Sequence, residues 1–476
     1  MPDTTSSESL LTCALKHLAK RSAFDRGRAA LLRHFIRPGK RVVEWGCAEG
    51  DLLAALAPTE GMGIDCNPEL VQSGQARYPS LQFSQAELLE PLDAPDKPFD
   101  YIVFDLLVGS LLDVQTALEK AQAWAHPRTR LVLTAKNSLY GGVNKAMSKR
   151  TGKPAPLNWL SRQDLDNLLE LAGWETVQTR CELLCPFDIP LIEPLLNRWL
   201  VRLPLFKHLA TTIILIARPK RPLDNAKSTT CSIILPARNE SGNIANALQR
   251  IPQLGAKTEL IFVEGNSKDD TWEEIQKQCA AYQGPLELSY HRQPGVGKWD
   301  AVRLGFEHAT GDVLVIQDGD LTAPPEDLEK FFRAVVDGSA EFANGSRLVY
   351  PMEDQAMRYL NQVGNKAFAI SLTRVLGQPV KDSLCGTKMM LRSDYEDLIA
   401  LVRERLGDFD PFGDFNLLFG SAMLGLKIRD IPIRYRDRTY GDTNISRFRH
   451  GLVLLRMTWV GLRRIHFFAY SLRADR

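Results

Sequence analysis

Short apolar runs bounded by polar or glycine-containing turns recur along the chain and alternate with stretches of helical periodicity. The runs Arg41–Glu44, Gly61–Ile64, Tyr101–Phe104, Leu131–Thr134 and Thr211–Ala217 predict strands of a first α/β half. The rhythm restarts at Ser232–Leu235, Leu260–Val263 and Val313–Ile316, predicting a second. Apolar strands separated by helices imply parallel sheets covered on both faces. Between the halves, Arg218–Thr230 is basic, holds two prolines and lacks apolar periodicity, so it reads as a linker.

At 476 residues the chain exceeds the size at which one core stops growing, and 44% hydrophobic with 24% charged residues is ordinary globular composition. The expected division is a domain over 1–219, a linker over 220–230, a domain over 231–447 and a tail over 448–476. The eight cysteines are scattered, with only Cys181 and Cys185 close together, so they read as reduced thiols in a cytoplasmic setting. The polar start has no signal-peptide order, and no apolar run reaches the roughly 18 residues needed to span a bilayer.

The net charge of +2 conceals an asymmetry: Arg434 to Arg476 holds ten Arg and three Asp, a balance of +7. Arg449, Arg456 and Arg463 are seven apart and share one helical face, among Leu452, Leu455, Trp459, Leu462, Ile465 and Phe467. Two readings stand: a helix lying on an anionic membrane surface, peripheral at the inner face, or a helix packed on the second domain with Arg outward. Nucleic acid is not an expected partner, because no recognised nucleic-acid module accompanies the charge.

In the first half, Val42 to Leu53 reads as a strand, a turn with glycines at 46 and 50, and the opening of a helix. Glycines there let the backbone approach a ligand at the strand's carboxyl end. Gly63-Ile64-Asp65 ends the next strand with an acid suited to ribose hydroxyls. This pattern resembles class I S-adenosylmethionine-dependent methyltransferases, over about Lys40 to Ala217. Phe99–Asp105 looks like that family's fourth strand, and Ser161 to Trp174 like its late helix and turn. The resemblance implies that Glu44, Gly46, Gly50 and Asp65 line an S-adenosylmethionine site, with Glu87 on the adenine side. Asp105 reads either as an acceptor-orienting acid or as a helix cap. A dinucleotide-binding or degenerate Rossmann domain is the alternative, although the G-x-G-x-x-G fingerprint is absent.

In the second half, polar loops follow successive strands: Pro236 to Glu240, Glu264 to Thr271, Gly295 to Arg303, and Asp318-Gly319-Asp320. The D-x-D spacing can place two carboxylates around one hard cation, Mg²⁺ or Mn²⁺, which prefers oxygen ligands and substrate phosphates. The order resembles family-2 glycosyltransferases of the GT-A fold, particularly the dolichol- or polyprenyl-phosphate sugar synthases, over about Cys231 to Arg447. The resemblance implies that Pro236, Asn239, Glu240 and Glu264 hold the nucleotide's base and ribose. It puts Lys298 and Asp300 below the nucleotide, and Asp318 and Asp320 at the metal and diphosphate. Asp382, Cys385, Gly386 and Lys388 match a D-x-x-C-G-x-K segment on the acceptor side, and Arg438 opens a phosphate-contacting stretch. Asn444 replaces that stretch's usual Lys, and Asn416 stands where many relatives carry Glu, which weakens a general base there and makes Asp414 the replacement to test.

The expected function is therefore inverting transfer of a sugar from a nucleotide-diphospho-sugar to a lipid-phosphate or glycan acceptor, with Asp318, Asp320, Asp382 and Asp414 as catalytic candidates. An S-adenosylmethionine-dependent methyltransferase is expected to be fused to it. The alternatives are a first half that only binds or docks, and a chain that senses sugar nucleotides without turnover.

Overall fold

The computed structural model describes residues 4–90, 92–151, 156–220, 227–350, 359–407, 410, 413–436, 438, 440 and 455–466. The chain divides into two units, with the boundary in sequence after Arg221. Each has its own seven-stranded sheet.

In the first unit the strands are β1 (Arg41–Trp45), β2 (Glu60–Asp65), β3 (Gln82–Gln85), β4 (Phe99–Asp105), β5 (Ala125–Lys136), β6 (Trp174–Glu182) and β7 (Thr212–Pro219). Their order across the sheet is β3-β2-β1-β4-β5-β7-β6. Strands β1 to β5 are parallel, and β7 runs antiparallel to both neighbours. Alternate residues enter different cores: Val43, Ile102 and Phe104 pack on one face, Val42, Tyr101 and Val103 on the other. The predicted late helix is Arg162–Leu171, started by a reciprocal capping box between Ser161 and Asp164.

The second unit comprises β8 (Thr230–Ala237), β9 (Lys257–Glu264), β10 (Glu287–Arg292), β11 (Val313–Ile316), β12 (Phe342–Ser346), β13 (Lys388–Leu391) and β14 (Ile428–Pro432), in the order β10-β9-β8-β11-β13-β12-β14. Strand β13 is antiparallel to β11 and β12. Both sheets are thus mixed, where the sequence predicts parallel ones. A strand buried on both faces is apolar in either direction, so its pattern carries no polarity signal.

Residues 455–466 are helical, closing with Leu462–His466. Met457 and Ile465 enter the second unit's core with Leu372 and Phe419, while Arg456, Arg463 and Arg464 are exposed. Leu455 and Trp459 are exposed beside them. Arg449, Leu452, Phe467 and Asn444 lie outside the described residues. Among those described, no helix is long and apolar enough to cross a membrane.

Candidate functional site

At the carboxyl edge of the first sheet, Gly46 and Gly50 bracket the turn between β1 and the helix Asp51–Ala55, with φ of +74° and +76°. That left-handed geometry favours glycine. A Cβ at Gly50 would stand 2.5 Å from the Phe83 ring. Asp65, at the end of β2, ties the turn down: its Oδ2 accepts from the Ala48 amide at 2.9 Å and its Oδ1 from the Asn67 amide at 3.0 Å. Arg21, Arg77 and Tyr78 converge on Asp51, and the two arginines also reach Glu49, fixing the far side of the loop. Glu87 is exposed just beyond β3.

Two residues behave differently from expectation. Glu44 is 3% exposed, and burial, reinforced by the charge of Asp105, pushes its carboxyl well above the usual carboxylate range. It underlies the turn, and its Oε2 is buried with no hydrogen-bond partner among the described residues. Asp105 caps no helix. Both its oxygens accept from Arg28 Nε, at 2.7 and 2.9 Å, and Thr134 adds a hydroxyl at 2.6 Å. Arg28 comes from the helix Ala23–Phe35, carries no local sequence signal, and was not foreseen.

In the second unit the four polar loops do meet at one edge. The ends of β8 and β9 are cross-tied: the Lys268 amide donates to Asn239 Oδ1 at 2.8 Å, and the Asn239 amide to Ser267 Oγ at 3.0 Å. Asp300 holds its own glycine loop, accepting from the Gly295 amide at 2.9 Å. A Cβ at Gly319 would be 2.8 Å from the Pro236 carbonyl oxygen, so the D-G-D turn lies directly on the end of β8.

Each carboxylate of that turn faces a cation from another loop. Lys298 Nζ is 2.5 Å from Asp318 Oδ1, and Arg438 donates to Asp320 Oδ2 at 2.6 Å. Burial opposes the Lys298 charge, but Asp318 and Asp414 more than offset it and hold the ammonium above its ordinary range. Burial likewise opposes ionisation of Asp318, and Lys298 outweighs it, so that carboxyl is lowered. Glu240 is the exception. Burial pushes it up to about 7, against a hydrogen bond from Asn243 and the charge of Arg438, with Asp320 adding to the rise.

The D-x-x-C-G-x-K segment divides its work. Asp382 is a brace and not a catalytic acid: its side chain is 0% exposed and both oxygens accept from Arg347, at 2.7 and 2.8 Å. Gly386 presses its backbone against Asp318 and Lys298. Lys388 is buried and donates to the Cys385 carbonyl and to Asn344 Oδ1, while lying 3.2 Å from Asp414 Oδ1. Asp414 opens the helix Asp414–Met423, whose Phe415 and Asn416 amides are capped by Asp410. Asp414 thus has a buried cationic partner, Lys388. Cys385 is 2% exposed and its thiol is pushed up to about 11 by burial, so it packs and does not attack.

Among the described residues no cluster of three or more His, Cys, Asp or Glu forms a metal cage. The residues present still suit a hard cation of the Mg²⁺ type, which binds through one or two carboxylates and completes its shell with phosphate oxygens and water. Asp318 and Asp320 are the carboxylates that would supply those ligands.

Residues 232–399 match the family model described as glycosyl transferase family 2, and residues 15–179 match one described as a methyltransferase domain. A dolichol-phosphate mannosyltransferase of Pyrococcus furiosus is 28% identical over 221 residues, which is 45% of this chain and 59% of that protein. The chain thus spans less than two thirds of that relative. A solved S-adenosylmethionine dependent methyltransferase from Mesorhizobium loti matches at 17% identity and TM-score 0.33, over 42% of this chain and 99% of that one. Glucosyl-3-phosphoglycerate synthase from Mycobacterium tuberculosis, solved with Mn²⁺, uridine diphosphate and glucosyl-3-phosphoglycerate, matches at 20% identity and TM-score 0.38, over 51% and 82%.

Proposed function

We propose that this chain, a methyltransferase domain followed by a glycosyl transferase family 2 domain, moves a sugar from a nucleotide-diphospho-sugar to a lipid phosphate. The reading rests on one observation: Asp318 and Asp320 at the end of β11 are paired with Lys298 and Arg438 from two other loops. Two carboxylates and two cations cancel at rest. With a divalent cation and a diphosphate bound, Asp318 and Asp320 would hold the metal and Lys298 and Arg438 would face phosphate oxygens, so the charges would still balance. The bound metal would offset charge developing on the leaving diphosphate. Pro236, Asn239, Glu240 and Glu264 are proposed for the nucleoside and Asp300 for holding the loop beneath it.

The state of Asp414 favours a phosphate acceptor over a sugar hydroxyl. A hydroxyl needs a base at the reacting oxygen, whereas a phosphate is already ionised at neutral pH. Asp414 is committed to Lys388 and Asn416 carries no charge. The name of the Pyrococcus relative, a dolichol-phosphate mannosyltransferase, agrees with this class of acceptor. The test is a matrix of nucleotide sugars against short polyprenyl phosphates and free sugars, with and without Mg²⁺ or Mn²⁺. Transfer only to free sugars would overturn the acceptor, and no metal-dependent turnover of any donor would overturn the transferase.

For the first domain we propose S-adenosylmethionine binding on the Gly46–Gly50 turn, with Asp65 and Glu87 on its nucleoside side. Titration of the full chain with S-adenosylmethionine tests it. For the tail we propose peripheral membrane contact through Leu455 and Trp459. Because Met457 and Ile465 belong to the core, the test is the point variants L455D and W459D in vesicle flotation, and unchanged flotation would sink the idea.

A further inference from the structure

The first unit places its exposed apolar residues unevenly. Strand β5 ends at Lys136, which pairs with Thr212 at the start of β7, which in turn pairs with Glu182 at the end of β6. Asp105 at the end of β4 pairs with Thr134 on the same edge. The 29-residue connection 183–211 therefore leaves and re-enters the sheet at the edge that carries the glycine turn. Its far end is tied to the segment after β5: Asn137 Nδ2 donates to the Ala210 carbonyl at 2.7 Å, and the Tyr140 hydroxyl to that of Leu209.

This connection exposes Phe187, Leu191, Leu195 and Leu205, at 65%, 86%, 57% and 77%. Leu139 and Val143 after β5, and Leu112 and Leu157 beside the end of β4, are exposed on the same edge. Among the described residues of the unit, Leu171 is the large exposed apolar residue away from it, at the opposite end of the sheet ahead of β6. Leu191 has φ of +67°, an uncommon conformation for a residue of its size. Monomeric soluble proteins rarely expose so many large apolar side chains at one edge without a function for them.

The charge beside the apolar face selects the occupant. The helix Gly141–Thr151 carries Lys145, Lys149 and Arg150, all exposed, and no acid. A cavity of about 310 Å³ opens at this edge, lined by Leu106, Val108, Leu160 and other residues, with Lys136 the charged side chain in its wall. Apolar side chains next to a basic helix suit a bilayer with anionic headgroups, and a cavity whose wall joins Leu106, Val108 and Leu160 to Ser110, Asn158 and Lys136 suits an amphiphile with an anionic head.

We infer that the 183–211 connection and the helix Gly141–Thr151 dock this edge onto an anionic lipid surface, and that the molecule methylated there is an amphiphile presented by that surface. The substrate class rests on the methyltransferase reading of the domain; the docking does not. The experiment is hydrogen exchange on the full chain with vesicles of phosphatidylcholine alone or mixed with phosphatidylglycerol. Peptides from 184–209 and 139–150 exchange several-fold more slowly with the anionic vesicles only. In the L191D/L205D variant, whose side chains are exposed and whose melting temperature checks its fold, that slowing disappears. K145E/K149E removes the preference for anionic lipid. No slowing with anionic vesicles overturns the inference, as does slowing confined to 455–466. Slowing that rises with protein concentration in the absence of lipid also overturns it, and assigns the face to a second copy. Protection by vesicles without S-adenosylmethionine binding leaves the docking standing and removes the substrate class.

Discussion

Gly386 lies so close to Asp318 that a Cβ on it would sit 2.0 Å from the carboxylate Oδ2 and 2.2 Å from Lys298 Nζ. The glycine of the D-x-x-C-G-x-K segment is thus a spacer for an ion pair on another loop. Gly386→Ala should displace that pair and lower kcat/KM for the nucleotide sugar on the order of 100-fold, the cost of a misplacement of about 1 Å. A melting temperature near that of the parent, alongside wild-type turnover, would remove Gly386 from this role.

Arg438 bonds Asp320 and lies 3.5 Å from Glu240. Arg438→Met should raise the donor KM by roughly tenfold or more, since a charge-assisted bond to phosphate is lost and Asp320 keeps no cation. Arg438→Lys should recover part of it. Equal KM in all three proteins, measured at saturating metal, would place the diphosphate elsewhere.

Glu240 introduces a pH dependence of stability. Its folded value of about 7 exceeds the 4.5 of an ordinary glutamate, so the folded protein binds this proton more tightly than the unfolded chain. The contribution is complete below pH 4.5 and is lost as pH rises to 7. Glu240→Gln should therefore flatten the stability profile across that window by about 1–3 kcal/mol. Denaturant midpoints at pH 5 and pH 8 decide it: parallel changes in both proteins would refute the assignment.

In the first unit, Arg28 holds Asp105 beside the buried Glu44. Arg28→Met leaves Asp105 with the Thr134 hydroxyl but without its cation, and should cost about 3–5 kcal/mol. Adding Asp105→Asn should return a large part of that. A double variant no more stable than the single would show that the pair is not coupled.

Gly50→Ala tests the turn itself, because φ of +76° and the Phe83 ring both oppose a Cβ. Binding of S-adenosylmethionine should fall below detection by calorimetry while the second unit's sugar transfer stays unchanged. Undiminished binding would move the cofactor off this turn.

The eight strands that were legible are those whose central residues are apolar on both faces, such as Ile233 to Leu235 and Val313 to Ile316. Strand β12 reads Phe-Ala-Asn-Gly-Ser and escaped detection, although it is buried throughout. Its Asn344 is satisfied by the Asp382 carbonyl, Asp430 and Lys388, contacts that no local pattern reveals. Strand β10 sits at an edge with Glu287, Tyr290 and Arg292 exposed, and its polar composition hid it in the same way. In the site, the loops were legible because turn chemistry is local. Arg28, Arg347 and Asp410 were not, because each acts on a residue that only the fold brings near. The apolar connection 183–211 gave no periodic signal, its exposed residues being indistinguishable in sequence from core.

The resting neutrality of the Asp318–Lys298 and Asp320–Arg438 array also bears on capture kinetics. An edge whose charges cancel exerts little pull on an anion beyond the Debye length of about 8 Å at physiological salt. Encounter with a nucleotide sugar should therefore depend weakly on ionic strength, and selectivity should reside in how long the donor stays. Free phosphate, which brings negative charge without a metal, would find both cations already occupied and leave at once.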